Sequence, residues 1–360
     1  NISSISKHAI ASDDYISLKG GNINVSSAGK DAIHVNDYFT MSDGILQLTP
    51  SGDGIDSEGY IDISGGSITF TSSVANVKAI SADSTINVCG GIINLTLKGN
   101  AAKGLKGKQD MTLSGGTFTI NTSGAAILEA SGSGYDPSYC TAIKCNHSIY
   151  INGGTFTITA TGTGGKGISA DNNIEITNGS ITISTSGGGA IYTNTSGKTD
   201  AYNATCLTSD GNIVIIDGTI ALSSSGAGGK GVSSDGIFTL GSSSTSPTLS
   251  ITTTGSEISL GNTSYSSPKA LKADGDIKFV GGTTLISSAD DGIKSETNVY
   301  VNGGNIVVSK SYEAIEAPFI YINGGITDIT ATNDAINATK GLVSGGTEQG
   351  AEIGIYRLGE

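Results

Sequence analysis

Tryptophan is absent from this 360-residue chain, Arg357 is the only arginine, and prolines number 5 and histidines 3. With aromatics at 6%, a large globular core built on aromatic anchors is not expected. Scarce proline argues against a disordered Pro-rich chain, while 54 glycines call for many tight turns. Basic residues are also few, 19 against 32 acidic ones, for a formal charge of −13. Phosphate binding needs clustered Lys and Arg, so a nucleic-acid partner is disfavoured. An acidic polymer would be repelled too, unless a cation or local lysines intervened. No apolar run reaches the length of about 18 residues that a membrane helix requires. The chain begins at Asn1 without methionine, and the expectation is a secreted or cell-surface protein whose signal has been removed. The cysteines, Cys89, Cys140, Cys145 and Cys206, match no zinc spacing. Cys140 and Cys145 lie close enough in sequence to pair; free, buried thiols are the other reading.

What the chain does have is one unit repeated end to end. A small residue precedes an aliphatic anchor, then come I-x-I, two turn residues that are usually Gly-Gly, and I-x-I again. Gly54-Ile55, Ile61-Asp62-Ile63-Ser64-Gly65-Gly66-Ser67-Ile68 is one copy. Anchors fall at Ile10, Ile33, Ile55, Ile80, Leu105, Ile143, Ile168, Leu207, Val232, Leu271, Ile293, Ile315 and Ile336. Alternation with period two marks strands buried on one face. Three such strands plus turns fill one coil of a right-handed parallel β-helix, an all-β solenoid of about thirteen coils. Coils stacked roughly 4.8 Å apart make a rod on the order of 58 Å long. A globular β-sandwich is the alternative, which thirteen in-phase units disfavour. The solenoid is expected over 1–345 as one domain, with a cap or tail at 346–360 and a monomeric state. Three longer gaps place insertions near 128–140, 193–204 and 259–268. They carry Tyr135, Tyr139, Tyr202 and Tyr265, whose rings could stack on sugars along one wall of a groove; a decorative loop row is the plainer reading.

Stacking the coils aligns side chains into rows. Two positions before the anchor the row reads His8, Asp31, Asp53, Lys78, Lys103, Thr141, Lys166, Thr205, Lys230, Lys269, Asp291, Glu313, Asp334. One position after it the row reads Ala11, His34, Asp56, Ser81, Lys106, Lys144, Ser169, Thr208, Ser233, Lys272, Lys294, Glu316, Asn337. Acids therefore gather at both ends of one face and lysines in its middle. Carboxylates on adjacent coils repel by roughly 0.9 kcal/mol in bulk water and about 3.5 kcal/mol at an effective dielectric of 20. Calcium, hard and tolerant of irregular oxygen cages, would relieve this. Two clusters are expected: Asp31, Asp53 and Asp56, extended by Asp13 or Glu58, and Asp290, Asp291, Glu313, Glu316 and Asp334. Solvated acids capping turns are the alternative. The lysines Lys78, Lys103, Lys106, Lys144, Lys166, Lys230, Lys269 and Lys272 read either as charge balance or as a track for sugar carboxylates and hydroxyls, with Lys78, Lys103, Lys106, Lys144 and Lys166 as the sugar-binding candidates.

Ser51-Gly-Asp-Gly-Ile-Asp-Ser57, Ala289-Asp-Asp-Gly-Ile-Lys-Ser-Glu296, Ser311-Tyr-Glu-Ala-Ile-Glu-Ala317 and Asn333-Asp-Ala-Ile-Asn-Ala338 resemble the secreted carbohydrate-binding β-helix domains of cellulose-degrading clostridia and relatives. That family is similar in fold to family 9 pectate lyases. The resemblance implies calcium and binding of cellulose-like or acidic plant cell-wall polysaccharides without catalysis. The lyases' calcium signature, an Asp followed one coil later by Asp-Asp-x-x-Asp, is incomplete in both copies. Asp31 is followed by Gly52-Asp53-x-x-Asp56, and Asp290-Asp291 is followed by Lys294 in place of the last Asp. A polysaccharide lyase remains an alternative, with Lys78 or Lys103 as the base that removes a proton activated by calcium. A structural adhesin or stalk is the third reading.

Overall fold

The computed structural model describes residues 1–338 and the backbone of one further strand, Ile355–Leu358, which pairs in parallel with Phe319–Ile322. Apart from that strand's backbone, the expected cap or tail at 346–360, like 339–345, lies outside the described residues. The described chain is all-β, a right-handed parallel solenoid. One middle coil comprises the strands Lys103–Gly107, Met111–Leu113 and Thr117–Thr122. The first strands of all coils stack into a 13-stranded sheet, hereafter the anchor sheet. The second and third strands stack into two further faces. These merge into one 24-stranded sheet because Tyr15–Ala28 and Tyr38–Leu48 run unbroken from one face to the other.

The register is the one that the aliphatic spacing dictates. Leu105 lies over Ile80 and beneath Ile143, and the series continues through Ile168, Leu207, Val232 and Leu271. Every side chain of the core thus packs on the equivalent one above and below, so the terminal anchors Ile10 and Ile336 are only half buried. Phe118 and Phe156 stack face to face with centroids 4.4 Å apart. At one corner the interior becomes polar: Thr185 Oγ1 donates to Ser224 Oγ at 2.8 Å, and the Thr253 and Ser288 hydroxyls share a 2.8 Å hydrogen bond. The four cysteines are free, with Cys140, Cys145 and Cys206 buried and Cys89 exposed.

Two local features depart from simple alternation. In the anchor strands two neighbours, such as Gly104 and Leu105, both turn inward, while Lys103 and Lys106 both turn outward. The small residue marks this kink, and an added Cβ at Gly104 would lie 2.3 Å from the Ala142 carbonyl oxygen. The kink puts the rows before and after the anchor on the same outer face. Elsewhere a column of glycines, including Gly162, Gly187 and Gly226, stacks backbone directly on backbone. The insertions are antiparallel hairpins pairing Ile127–Ser131 with Gly134–Ser138, Ala190–Thr193 with Thr199–Tyr202, and Ile258–Gly261 with Ser264–Ser266. Ser133 N–H donates to the Thr195 carbonyl at 2.8 Å, and the Asn203 amide meets Ser266 Oγ at 3.0 Å, so the hairpins form one continuous wall.

A methyl group at Gly187 would sit 1.8 Å from the Gly162 carbonyl oxygen. Gly187→Ala is therefore expected to cost about 2 kcal/mol or more through overpacking. Ser223→Ala, on the exposed face, should stay within about 0.5 kcal/mol of the parent. Thermal unfolding of the two variants followed by circular dichroism checks the contrast.

Candidate functional site

The hairpin wall stands beside the anchor sheet because each hairpin enters just before an anchor strand. Between wall and sheet lies a groove of about 560 Å³. Its floor carries Lys78, Lys103, Lys106, Lys144 and Lys166, and the first hairpin contributes Glu129, Asp136 and Tyr139. Five of the eight lysines expected along this track are thus brought together, as in-register stacking requires, while Lys230, Lys269 and Lys272 lie outside the groove's lining.

Their partners divide them. Lys78 Nζ is held 3.0 Å from Asp53 Oδ2, and Lys144 pairs with Asp171. Lys103 Nζ donates only to neutral acceptors, the Ala101 carbonyl at 2.8 Å and Ser138 Oγ at 3.1 Å. Lys106 contacts the Asn146 amide oxygen. Lys166 donates to Thr205 Oγ1 at 3.1 Å and lies 4.4 Å above the Tyr139 ring, a cation–π contact. Burial, reinforced by Lys230 and Lys144, drives the Lys166 ammonium down to about 7. Burial and Lys144 bring Lys106 to about 8, and Lys103 is lowered mainly by burial. Farther along, Lys230 also falls to about 8, through burial and the nearby Lys272 and Lys269. Asn203, its amide oriented to suit both neighbours, accepts from Lys230 Nζ and Ser266 Oγ, each at 3.0 Å.

Of the expected tyrosines, Tyr139 lines the groove, and Tyr202 braces it edge-on at 6.3 Å. Tyr135 and Tyr265 stand exposed on the hairpins, outside the groove's lining. Tyr192, which no sequence pattern singles out, completes the aromatic cluster 5.9 Å from Tyr202. A whole column also lies outside the two rows read from the sequence: three positions after the anchor come Asp171, Asp210, Asp235 and Asp274 on successive coils. Burial raises Asp210 and Asp235, and acidic neighbours add to it. The signal for this column is the +3 row, which aligns in the sequence just as the −2 and +1 rows do.

The acidic ends are more differentiated than the rows imply. At the C-terminal end Asp291, Glu313 and Glu316 converge, each offering a carboxylate oxygen within 4.8 Å of the others. Lys269 Nζ bridges Asp290 Oδ2, at 3.0 Å, and Asp291, while Lys294 pairs with Glu316. Glu313 accepts from Asn333 Nδ2 at 3.1 Å and Asn337 Nδ2 at 2.9 Å. Burial lifts Asp291 to about 6, Lys269 opposing and Asp290 adding to the rise; Glu313 is raised by burial as well. Burial works against the charged Lys269, yet Asp291 and Asp290 hold its pKa above the ordinary lysine range. Asp334 stays exposed, outside this convergent group.

At the N-terminal end Asp53 is engaged by Lys78 and does not join the convergent group there. Its carboxylate accepts from the Lys78 backbone N–H at 2.7 Å and from Lys78 Nζ. Two imidazoles take its place: His8 Nδ1 lies 3.0 Å from Asp31 Oδ2, and His34 Nδ1 lies 3.0 Å from Asp56 Oδ2. Burial raises Asp53 and Asp56, with Asp31 adding repulsion in both.

A family model described as "carbohydrate-binding domain-containing protein" matches residues 1–136, 141–246 and 226–314. No curated protein and no solved structure matches the chain. Among the described residues no helix is long and apolar enough to cross a membrane.

A lysine held near pKa 7 in the fold and near 10.4 when unfolded lowers stability fully below pH 7, and the loss is recovered as pH rises toward 10. Lys166→Met is accordingly expected to raise the melting midpoint by a few degrees at pH 6, the gain shrinking by about pH 9.5. Differential scanning fluorimetry across that pH range reads both signs.

Proposed function

The chain belongs to the family of carbohydrate-binding domain-containing proteins, and on that premise we propose that its groove holds one chain of an acidic plant cell-wall polysaccharide, outside the cell and without cleaving it. The observation that carries this reading is the set Lys103, Lys106 and Lys166, three groove cations whose side chains donate only to neutral acceptors. Each keeps hydrogen-bonding capacity for a uronate carboxylate or a hydroxyl, and charge-assisted hydrogen bonds are the strong ones. Lys144–Asp171 supplies paired donors and acceptors suited to sugar hydroxyls. Polygalacturonate fits this chemistry better than crystalline cellulose, because tryptophan is absent and the wall's tyrosines pack against one another. The formal charge of −13 disfavours a polyanion for the molecule as a whole, so its binding depends on local cations such as these.

Calcium belongs to the proposal through Asp291, Glu313 and Glu316. These buried or half-buried carboxylates offer oxygen donors only, the set a hard dication prefers. An ion there would neutralise a crowd that Lys269 and Lys294 balance only in part, and it would fasten the last coils of the rod.

One observation favours a second reading, a lyase acting by β-elimination. Lys166 and Lys106 have pKa values of about 7 and 8 inside the groove, the range that suits a general base. Such a base would take the proton α to the uronate carboxylate, and the C–O bond to the leaving sugar would break to give an unsaturated product. The sequence favours Lys78 and Lys103 for this role. Lys78 is engaged by Asp53, and Lys103 is lowered mainly by burial.

Incubation with polygalacturonate and with cellulose, with calcium or a chelator, separates the readings. We expect chelator-sensitive retention on polygalacturonate with no ultraviolet-absorbing product. Product formation would establish the lyase, and no retention on either polymer would leave a stalk or adhesin. The Lys103→Ala/Lys106→Ala double variant should lose about 10-fold or more in affinity. Retention should also weaken from pH 6 to pH 9 as Lys166, Lys106 and Lys230 discharge. Isothermal titration should find one calcium ion lost in Glu313→Gln.

A further inference from the structure

The first three coils hold a cluster that the groove does not use. His8 and His34 stack in parallel, with ring centroids 4.5 Å apart and planes at 19°. Both turn Nδ1 toward one atom, Asp31 Oδ2, at 3.0 and 3.9 Å. Asp56 Oδ2 approaches His34 Nδ1 from the other side at 3.0 Å. The donor atoms of His8, Asp31 and His34 thus converge on one point, within 4.8 Å of one another, and Asp56 flanks it from the next coil. Asp31 Oδ1 is already committed to the Asp53 backbone N–H at 2.7 Å, which fixes the carboxylate and leaves Oδ2 free for that point.

Hydrogen bonding accounts for His34, whose Nδ1 pairs with Asp56 Oδ2, but not for His8. His8 Nδ1 is sealed from solvent and makes no hydrogen bond, although Asp31 Oδ2 lies within bonding distance. The separation is right and the direction is wrong. Donor atoms 3.0 to 3.9 Å apart are spaced as neighbours in one coordination shell whose metal–ligand bonds are about 2.0–2.2 Å. We propose that His8, Asp31 and His34, with Asp56 beside His34, form a binding site for a zinc-class transition-metal dication that staples the first three coils together. Mixed imidazole and carboxylate ligands suit zinc, cobalt or nickel. Calcium wants six to eight oxygens and gains little from imidazole nitrogen. A dication balances the two carboxylates, giving a neutral site. Glu58, whose Oε1 lies 4.0 Å from His34 Nε2, is placed to orient that ring from behind.

The test uses untagged full-length protein, stripped with a chelator and titrated with Zn²⁺ and Co²⁺ alone. One zinc per chain is expected by calorimetry, with a visible d–d band on cobalt addition and a raised melting midpoint. His8→Gln should weaken zinc at least 10- to 100-fold, the loss that removing an orienting neighbour alone produces. The His8→Gln/His34→Gln double variant should lose the cobalt band altogether. His8 sits in the first coil, so its variant should keep the solenoid's circular dichroism; should it not, Asp56→Asn serves, and it should weaken zinc likewise. Zinc binding that is absent, that survives the double variant unchanged, or that millimolar Ca²⁺ displaces would overturn the site. Polysaccharide retention plays no part in this readout, so failure here leaves the groove's function standing, and the reverse holds too.

Discussion

Like is stacked on like throughout this molecule, at the inter-strand spacing of about 4.8 Å. For aliphatic anchors that constraint is favourable, since each Ile or Leu covers the next and a core forms without aromatic bulk. For charged positions it is a burden, because a repeated lysine or aspartate repels its own copies above and below. The chain answers with three devices. Threonines at 141 and 205 interrupt the lysine row. Carboxylates from the +3 column pair sideways with Lys144 and Lys272. Elsewhere the ammonium groups hold less tightly to their protons, as at Lys166 and Lys230. The groove is the stretch where the burden is relieved least.

Much of this architecture is legible in the amino-acid sequence itself. A regularly recurring aliphatic anchor fixes which residues lie over which, so the −2 and +1 rows follow from spacing and the register reproduces them. What spacing does not supply is direction. The inward kink at Gly104 and its equivalents breaks strict alternation, and only backbone geometry shows that it aims two rows into one groove. Nor does spacing say which neighbour a carboxylate chooses. Asp31 and Asp53 stand in the same row and each caps a backbone N–H one coil on, yet Asp53 alone also takes up the Lys78 ammonium. His8 and His34 occupy the same rows as the aspartates, but counting charges hides the nitrogen ligands between them.

The two ends of the rod therefore differ in chemistry although both look acidic in composition. One offers carboxylates alone, partly neutralised by Lys269 and Lys294 and crowded enough to lift Asp291 to about 6. The other interleaves imidazole with carboxylate. Hard and borderline cations are sorted by that difference in donor atoms, not by charge.

The hairpins recur on alternate coils, 64 residues apart at Ile143, Leu207 and Leu271, so the true period of the wall is a pair of coils. A gene segment of that length could be duplicated or lost without disturbing the register on either side, because coils stack on their immediate neighbours and each hairpin meets the one two coils on. Groove length is then a quantity evolution can count out in whole steps. A chain with more or fewer such segments would carry a longer or shorter groove lined by the same side chains.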